Sequence, residues 1–468
     1  MLKPITLKNG LTILRLPKPG SNTFLTGFVA ATGSIVEEGY FPQGVSHLIE
    51  RLFWCGTDKH SSTRSLNLTL ESMGGSFTSQ TSQEITQYYL TVPSYHQHKA
   101  VSMLAEVIQR SYFDGRDVER EKRLIVERIK AFEENFDMDN SRLALSNLYA
   151  NSSLGLPVEG SIDTVMSISQ EDVLEYLAHQ YRPDKNFLIL AGNFDSKGIM
   201  ELVEQEWGFW NPRGKKFIEP MEFHVEEIGE LPRITYRQRG FAKTQLVFGF
   251  LMNEGMQVST ENIKPTTKTK AENIDETKSK GEESQIDPKK MLEKMLSGWS
   301  ELLLLNTILG QGLSSRLWSK SVEEEMLFEH IQSEVVRFRA TGYLQIGGLT
   351  DNSQFSFALE SVLSTLEALR KTTVSINELA KAKEYLKGKL VLEHEDLLTA
   401  TSWQVENLVG SDLTFEIQDL IQKIDKIEAP ALRALASDLF VASKMVITTW
   451  GTAKETRLVD KLIRKYLN

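Results

Sequence analysis

The 468-residue sequence contains one cysteine, Cys55. An intramolecular disulfide is therefore excluded, and such a composition is typical of a protein from a reducing compartment. Acidic residues (63) outnumber basic ones (53) and give a net charge of −10, which argues against nucleic acid as the main partner. No apolar run reaches the length of a membrane span, and the N-terminal residues show neither a signal peptide nor a transit presequence. We expect a cytoplasmic protein with no nucleic-acid or membrane partner.

A zinc-peptidase motif is also incomplete. The inverted motif H-x-x-E-H places two zinc-binding His and a water-activating Glu on one helix. Here His47 and Glu50 are in place, but Arg51 stands where the second His belongs. A guanidinium carries a permanent positive charge and has no lone pair to offer a metal. Without that partner, His47 is more often an ordinary, partly buried helix residue than a ligand.

The chain is too long for one ordinary core, and its predicted elements repeat. Residues 1–210 alternate strands and helices, and residues 221–468 repeat that order after a linker at 211–220, which contains Pro, Gly and Lys. Residues 255–289 are almost free of apolar side chains. Burial in such a segment cannot offset the entropy of ordering, so we predict a disordered insertion within the second half.

Short motifs along the whole chain resemble the pitrilysin/insulinase family of inverted-motif zinc peptidases, particularly its processing-peptidase branch. The motifs are residues 44–50 (GVSHLIE), Gly74-Gly75, residues 181–186 (YRPDKN) and residues 310–317 (GQGLSSRL). The resemblance implies an α+β fold with two tandem homologous domains, each a mainly antiparallel sheet packed with helices.

The resemblance extends to the zinc site. The family's third zinc ligand is a Glu on a later helix, and its spacing falls on Arg128, while a second, upstream Glu of that helix corresponds to Glu121. His47, Arg51 and Arg128 are then vestigial ligand positions, and Glu50 is a vestigial base position. Two fixed positive charges would repel a dication, so we expect neither zinc nor another cofactor. We predict instead that the two arginines lie close together and that each pairs with Glu50 or Glu121.

Positions that hold substrate in the family differ as well. An edge strand that accepts the peptide by strand addition carries Asn-Ala in the family and Thr78-Ser79 here. In the second half, Arg316 matches an Arg that holds substrate carbonyls, but Glu329 replaces its partner Tyr. A surface salt bridge with Glu323 or Glu324 is an equally good interpretation of Arg316.

The sequence therefore predicts a non-catalytic member of this family that acts as a structural or peptide-holding subunit. The resemblance implies a homologous peptidase subunit with an intact H-x-x-E-H motif as partner, or a homodimer, enclosing an unfolded peptide. Two alternatives stay open: an active zinc metalloendopeptidase with altered ligands, for which zinc is the cofactor, and a standalone peptide-binding scaffold. Zinc content separates the first alternative from the other two readings.

Overall fold

The computed structural model describes residues 4–211, 215–219, 233–238, 240, 242–252, 288–411, 415–451 and 456–467. The strands are β1 (Ile5–Thr6), β2 (Thr12–Pro17), β3 (Thr23–Ala30), β4 (Ser76–Thr81), β5 (Thr86–Pro93), β6 (Phe187–Gly192), β7 (Arg233–Gln238), β8 (Lys243–Leu251), β9 (His330–Arg337), β10 (Gly342–Asp351) and β11 (Met445–Gly451).

Helices account for most of the remaining described chain. They are α1 (Val45–Leu52), α2 (Thr63–Ser72), α3 (Gln97–Arg110), α4 (Gly115–Glu134), α5 (Phe136–Leu148), α6 (Ile162–Ser167), α7 (Gln170–Gln180), α8 (Ser196–Trp207), α9 (Pro288–Gly310), α10 (Arg316–Trp318), α11 (Phe355–Lys371), α12 (Ile376–Glu393), α13 (Leu397–Ser411), α14 (Ile417–Lys426), α15 (Ala429–Leu439) and α16 (Thr456–Tyr466). The short α10 continues as a π-helix, Ser319–Glu324.

The strands form two sheets that repeat one topology. The first has the order β1-β2-β6-β3-β5-β4 and the second the order β7-β11-β8-β10-β9. In each sheet the first long strand pairs in parallel with the last strand in sequence, β2 with β6 and β7 with β11, and the other pairings are antiparallel. The predicted fold class, α+β with a mainly antiparallel, helix-packed sheet in each half, is confirmed.

Burial follows the sequence pattern of the strands. The central strand β3 is apolar and almost wholly buried, as expected where helices cover both faces of a sheet. By contrast, β4 alternates between exposed and half-buried residues along its length. Such alternation is typical of a strand with one face against the protein and one toward solvent. Because β4 ends the strand order of its sheet, its outer backbone edge has no strand partner among the described residues.

Two helices pack across the boundary between the sheets. Helix α5, from the first half of the chain, lies on β8 and β11 of the second sheet. There the buried Asn140 side chain donates hydrogen bonds of 3.3 Å to the carbonyls of Gln245 and Thr448. Gly249 leaves room for α5, since a Cβ there would lie 2.7 Å from Leu148. Helix α13, from the second half, packs in return on β3 and β6.

The described residues cover only part of the predicted insertion, linker and domain limits. Residues 255–287 of the predicted insertion lie outside the described residues. Its last two residues, 288–289, begin α9. Pro288 suits the first position of a helix, where a backbone N–H is not needed. The linker is described only at 211 and 215–219, and the domain limits 1–210 and 221–468 stay predictions. No described helix is long and apolar enough to cross a membrane.

Candidate functional site

Helix α1 carries the incomplete zinc motif, and a buried carboxyl group fixes its first turn. Gly44 precedes the helix with a φ of 92°, a conformation that side chains disfavour. Glu37 accepts hydrogen bonds from the backbone N–H groups of Gly44 (2.8 Å) and Ser46 (2.9 Å) and from the Ser46 hydroxyl. Burial raises the pKa of Glu37 to about 7, although these hydrogen bonds lower it. The start of α1 is therefore held firmly.

Glu50, the predicted base position, is held by two hydroxyl groups of β4. Ser79 Oγ donates to Glu50 Oε1 at 2.9 Å, and Thr81 Oγ1 donates to Oε2 at 2.6 Å. These two residues are two apart in a strand, so they share one face of the sheet. Thr78 points to the opposite face and is exposed. Both carboxylate oxygens of Glu50 thus have protein donors.

Arg51, at the second ligand position, forms an ion pair with Glu121 of α4. Arg51 Nε and one terminal nitrogen lie 2.8 and 2.7 Å from Glu121 Oε2. The Glu121 side chain is only 8% exposed, so this contact is well shielded from water. Arg120 Nε lies 3.2 Å from the other carboxylate oxygen. The predicted Arg51–Glu121 pair is present, and Glu121 bridges two guanidinium groups.

The predicted pairing of Arg128 was wrong. In the described chain, neither Glu50 nor Glu121 lies within ion-pair distance of Arg128, and its guanidinium instead sits 5.1 Å from the ring centre of Phe132. Arg128 is on the exposed side of α4, where the ring one turn further along offers a nearer surface. The guanidinium that shares Glu121 with Arg51 is that of Arg120, which the sequence reasoning missed and no motif signals.

His47 is buried and electrically neutral. Its side chain is 5% exposed, and Nδ1 has no hydrogen-bond partner in the described structure. Burial, followed by the positive charges of Arg128 and Arg51, lowers the pKa of His47 to about 3. Arg128 is therefore close enough to act on His47 electrostatically, even without an ion pair. The imidazole keeps a free lone pair, but its neighbours repel cations.

The residues present do not fit a zinc ion. Throughout the described ranges, no group of three or more His, Cys, Asp and Glu side chains is arranged to hold a metal. His47 is the one remaining nitrogen ligand of the motif, whereas Glu50 is hydrogen-bonded to β4 and Glu121 is ion-paired. A catalytic zinc site needs three protein ligands and an open position for water.

The two predicted substrate-holding residues of the second half each form an ion pair within the protein. Arg316 Nε and a terminal nitrogen each lie 2.8 Å from a carboxylate oxygen of Glu378, a bidentate arrangement. The expected salt bridge is therefore present, but its partner is Glu378 of α12 and not Glu323 or Glu324. Glu329 pairs with Lys243. These contacts do not bring Arg316 and Glu329 together with Thr78 and Ser79. Of the four, Ser79 alone touches the α1 motif.

Comparisons with known proteins agree with this architecture. A family model described as insulinase (peptidase family M16) matches residues 16–161, and one described as the peptidase M16 inactive domain matches residues 289–386. The zinc protease YmxG of Bacillus subtilis is 27% identical over 94% of this chain and 96% of its own length. The mitochondrial-processing peptidase subunit beta of Blastocladiella emersonii is 29% identical over 46% of each chain.

A solved structure shows the same fold over nearly the full length. A protease from Helicobacter pylori superposes with a TM-score of 0.80 at 16% identity, covering 96% of this chain and 99% of that one. Together the two family models match just over half of the chain, one in each half. The chain therefore belongs to the M16 insulinase family of peptidases, close in kind to the processing peptidases.

Proposed function

We propose that this chain is a non-catalytic M16 homologue that acts as a structural or peptide-holding subunit. The observation that carries the proposal is the state of the second ligand position, where Arg51 is ion-paired with the buried Glu121 instead of facing a metal. An arginine at the third ligand position, Arg128, removes the remaining carboxylate ligand. A water molecule next to Glu50 would therefore lack the metal that lowers its pKa toward neutrality.

The peptide-holding part of the proposal is supported by strand β4. Its outer edge presents unpaired backbone groups, which can accept an extended peptide as an additional strand. The side chain of Thr78 is exposed, while Ser79 turns inward to Glu50. Main-chain pairing does not depend on the Asn-Ala side chains that the family carries here. An unfolded peptide is thus the ligand we propose.

A homologous peptidase subunit with an intact H-x-x-E-H motif is the partner we propose, with a homodimer as the other arrangement. Support comes from the Blastocladiella emersonii relative, which is named as a subunit of a processing peptidase. A cytoplasmic location is part of the same proposal and rests on the single cysteine and the composition.

An active peptidase is the second candidate, because the full-length Bacillus subtilis relative is named a zinc protease. The family model described as inactive does not decide the matter, since it matches the second half only and not α1 or α4. Arg51 and Arg128, both in the first half, are the residues that oppose activity.

The proposal is tested with a labelled, unstructured peptide and the purified full-length chain. Fluorescence anisotropy should show saturable binding, while mass spectrometry should show an intact peptide after long incubation. Affinity purification from the native host should recover a homologue with the complete motif, or a second copy of the chain. Cleavage of the peptide would contradict the non-catalytic assignment. Failure to bind the peptide, with no homologue recovered, would contradict the subunit role.

A further inference from the structure

Away from the α1 motif, an open cavity of about 540 Å³ lies where α2 and α4 begin. A cavity of this size can accommodate a small-molecule ligand. Its lining includes four arginines, Arg64 from α2 and Arg116, Arg120 and Arg123 from α4. The three on α4 follow the spacing i, i+4 and i+7, so they form one stripe on the helix.

The cavity carries an excess of positive charge in an acidic protein. Its lining has four arginines but two carboxylates, Asp114 and Asp117, which leaves an excess of two positive charges. Asp114 caps α4 by accepting from the Arg116 N–H at 2.8 Å and pairs with the Arg116 side chain at 3.1 Å. Asp117 pairs with Arg120 at 2.7 Å. Both carboxylates are therefore already paired within α4.

The four arginines differ in their ion pairs. Arg116 pairs with Asp114, as described above. Arg120 uses all its nitrogens, since it also contacts Glu121 and the Cys55 sulfur at 3.2 Å each. Arg64 and Arg123 are exposed, and among the described residues no carboxylate lies within ion-pair distance of either. Two guanidinium groups thus face solvent beside the cavity without a counter-ion from the described residues.

The remaining walls add donors and no further negative charge. Ser61, Ser62 and Thr63 bring three hydroxyls and the positive end of the α2 dipole to the cavity. Cys55 forms part of the wall, and burial raises the pKa of its thiol to about 12, so it stays neutral. Apart from Cys55, the residues that line the cavity are polar or charged.

We propose that this cavity binds a polyphosphate group, through Arg64, Arg123 and Arg116, beside the N-terminus of α2. Guanidinium groups bind phosphate oxygens in bidentate fashion, and several phosphates in one chain match several arginines at once. The chemistry is shared by inorganic polyphosphate and by the phosphate tail of a nucleotide. The proposal is independent of peptidase activity, because none of the three arginines belongs to the α1 motif.

Calorimetric titration of the full-length chain with tripolyphosphate, ATP and adenosine at physiological salt tests the proposal. Tripolyphosphate should bind saturably with one site per chain, and adenosine should not bind. If ATP binds as tightly as tripolyphosphate, the site recognises the phosphate chain alone. If ATP binds more tightly than tripolyphosphate, the site also recognises the nucleoside. Both results support a polyphosphate site. The double variant R64Q/R123Q should weaken binding by about tenfold or more.

Arg433→Gln is the control, because Arg433 is an exposed arginine on α15 of the second half. That variant should bind tripolyphosphate as the unmodified chain does. Tripolyphosphate should also raise the melting temperature of the unmodified chain and of Arg433→Gln but not of R64Q/R123Q. The proposal is overturned if tripolyphosphate shows no saturable binding, or if Arg433→Gln weakens it as much as the double variant.

Discussion

At the scale of single residues, Glu121 is the centre of the altered site. It is buried and pairs with both Arg51 and Arg120. Arg51→Met should lower the free energy of unfolding by about 2–3 kcal/mol, because a buried carboxylate would lose one of its two guanidinium partners. Arg128→Met is the matched control, since Arg128 has an aromatic contact and no ion pair among the described residues, and should cost less than about 1 kcal/mol. If denaturant titrations show that both variants lose the same free energy of unfolding, the Arg51–Glu121 pair does not stabilise the fold as proposed.

The buried His47 should make the free energy of unfolding decrease as the pH falls below neutrality. Its pKa is about 3 in the folded protein and 6.5 when exposed, so the unfolded chain binds more protons below pH 6.5. Stability contributed by neutral His47 is therefore present above pH 6.5 and is lost as the pH falls toward 3. Between about pH 7.5 and pH 5, the unmodified chain should lose about 2 kcal/mol more than His47→Gln. An identical pH dependence for the two proteins would contradict the buried, neutral imidazole.

The sequence predicted part of this site and missed part for physical reasons. The family resemblance placed Arg51 of α1 and Glu121 of α4 in one site, and the structure contains an ion pair between them. Spacing fixes the face of a helix, but not which of several nearby surfaces a long side chain prefers. The Arg128 guanidinium packs on the Phe132 ring, and Arg120, not Arg128, pairs with Glu121 beside Arg51. Thr81 could have been found, because it follows Ser79 by two residues and side chains two apart in a strand share one face.

At the scale of elements, strand β4 supports Glu50 with one face and leaves the other free. Ser79→Ala and Thr81→Val should each lower the free energy of unfolding by about 1–3 kcal/mol, because each leaves an oxygen of the buried Glu50 without its donor. Thr78→Val is the matched control on the exposed face and should change stability by less than about 0.5 kcal/mol. A larger effect at Thr78 than at Ser79 and Thr81 would contradict the observed orientation of β4.

Most strands and long helices of both sheets could be predicted from hydrophobic periodicity. Hydrophobic periodicity does not reveal β9 and α13. The sequence of β9, HIQSEVVR, mixes polar and apolar residues because β9 is the last strand of its sheet. Helix α13 is apolar on the side that covers β3 and β6 of the other sheet, a contact that local sequence cannot reveal. Tertiary packing, not local propensity, stabilises such elements.

At the scale of the whole molecule, α5 and α13 interlock the two sheets, so the halves should not be independent. Without α5, a fragment of residues 221–468 would expose the face of β8 and β11 that includes Gly249. Fragments 1–210 and 221–468 should therefore be poorly soluble when produced separately and should co-purify when produced together. Cooperative unfolding of either isolated fragment would contradict this interdependence.

The loss of the zinc site is tested most directly by the metal content of the purified full-length protein. The protein is dialysed first against buffer that contains zinc and then against metal-free buffer. The double variant R51H/R128E is the positive control, because it restores two His and one Glu around an open position. The variant should retain close to one zinc per chain, while the unmodified chain and each single variant should retain almost none. Stoichiometric zinc in the unmodified chain, together with chelator-sensitive peptide hydrolysis, would contradict the account.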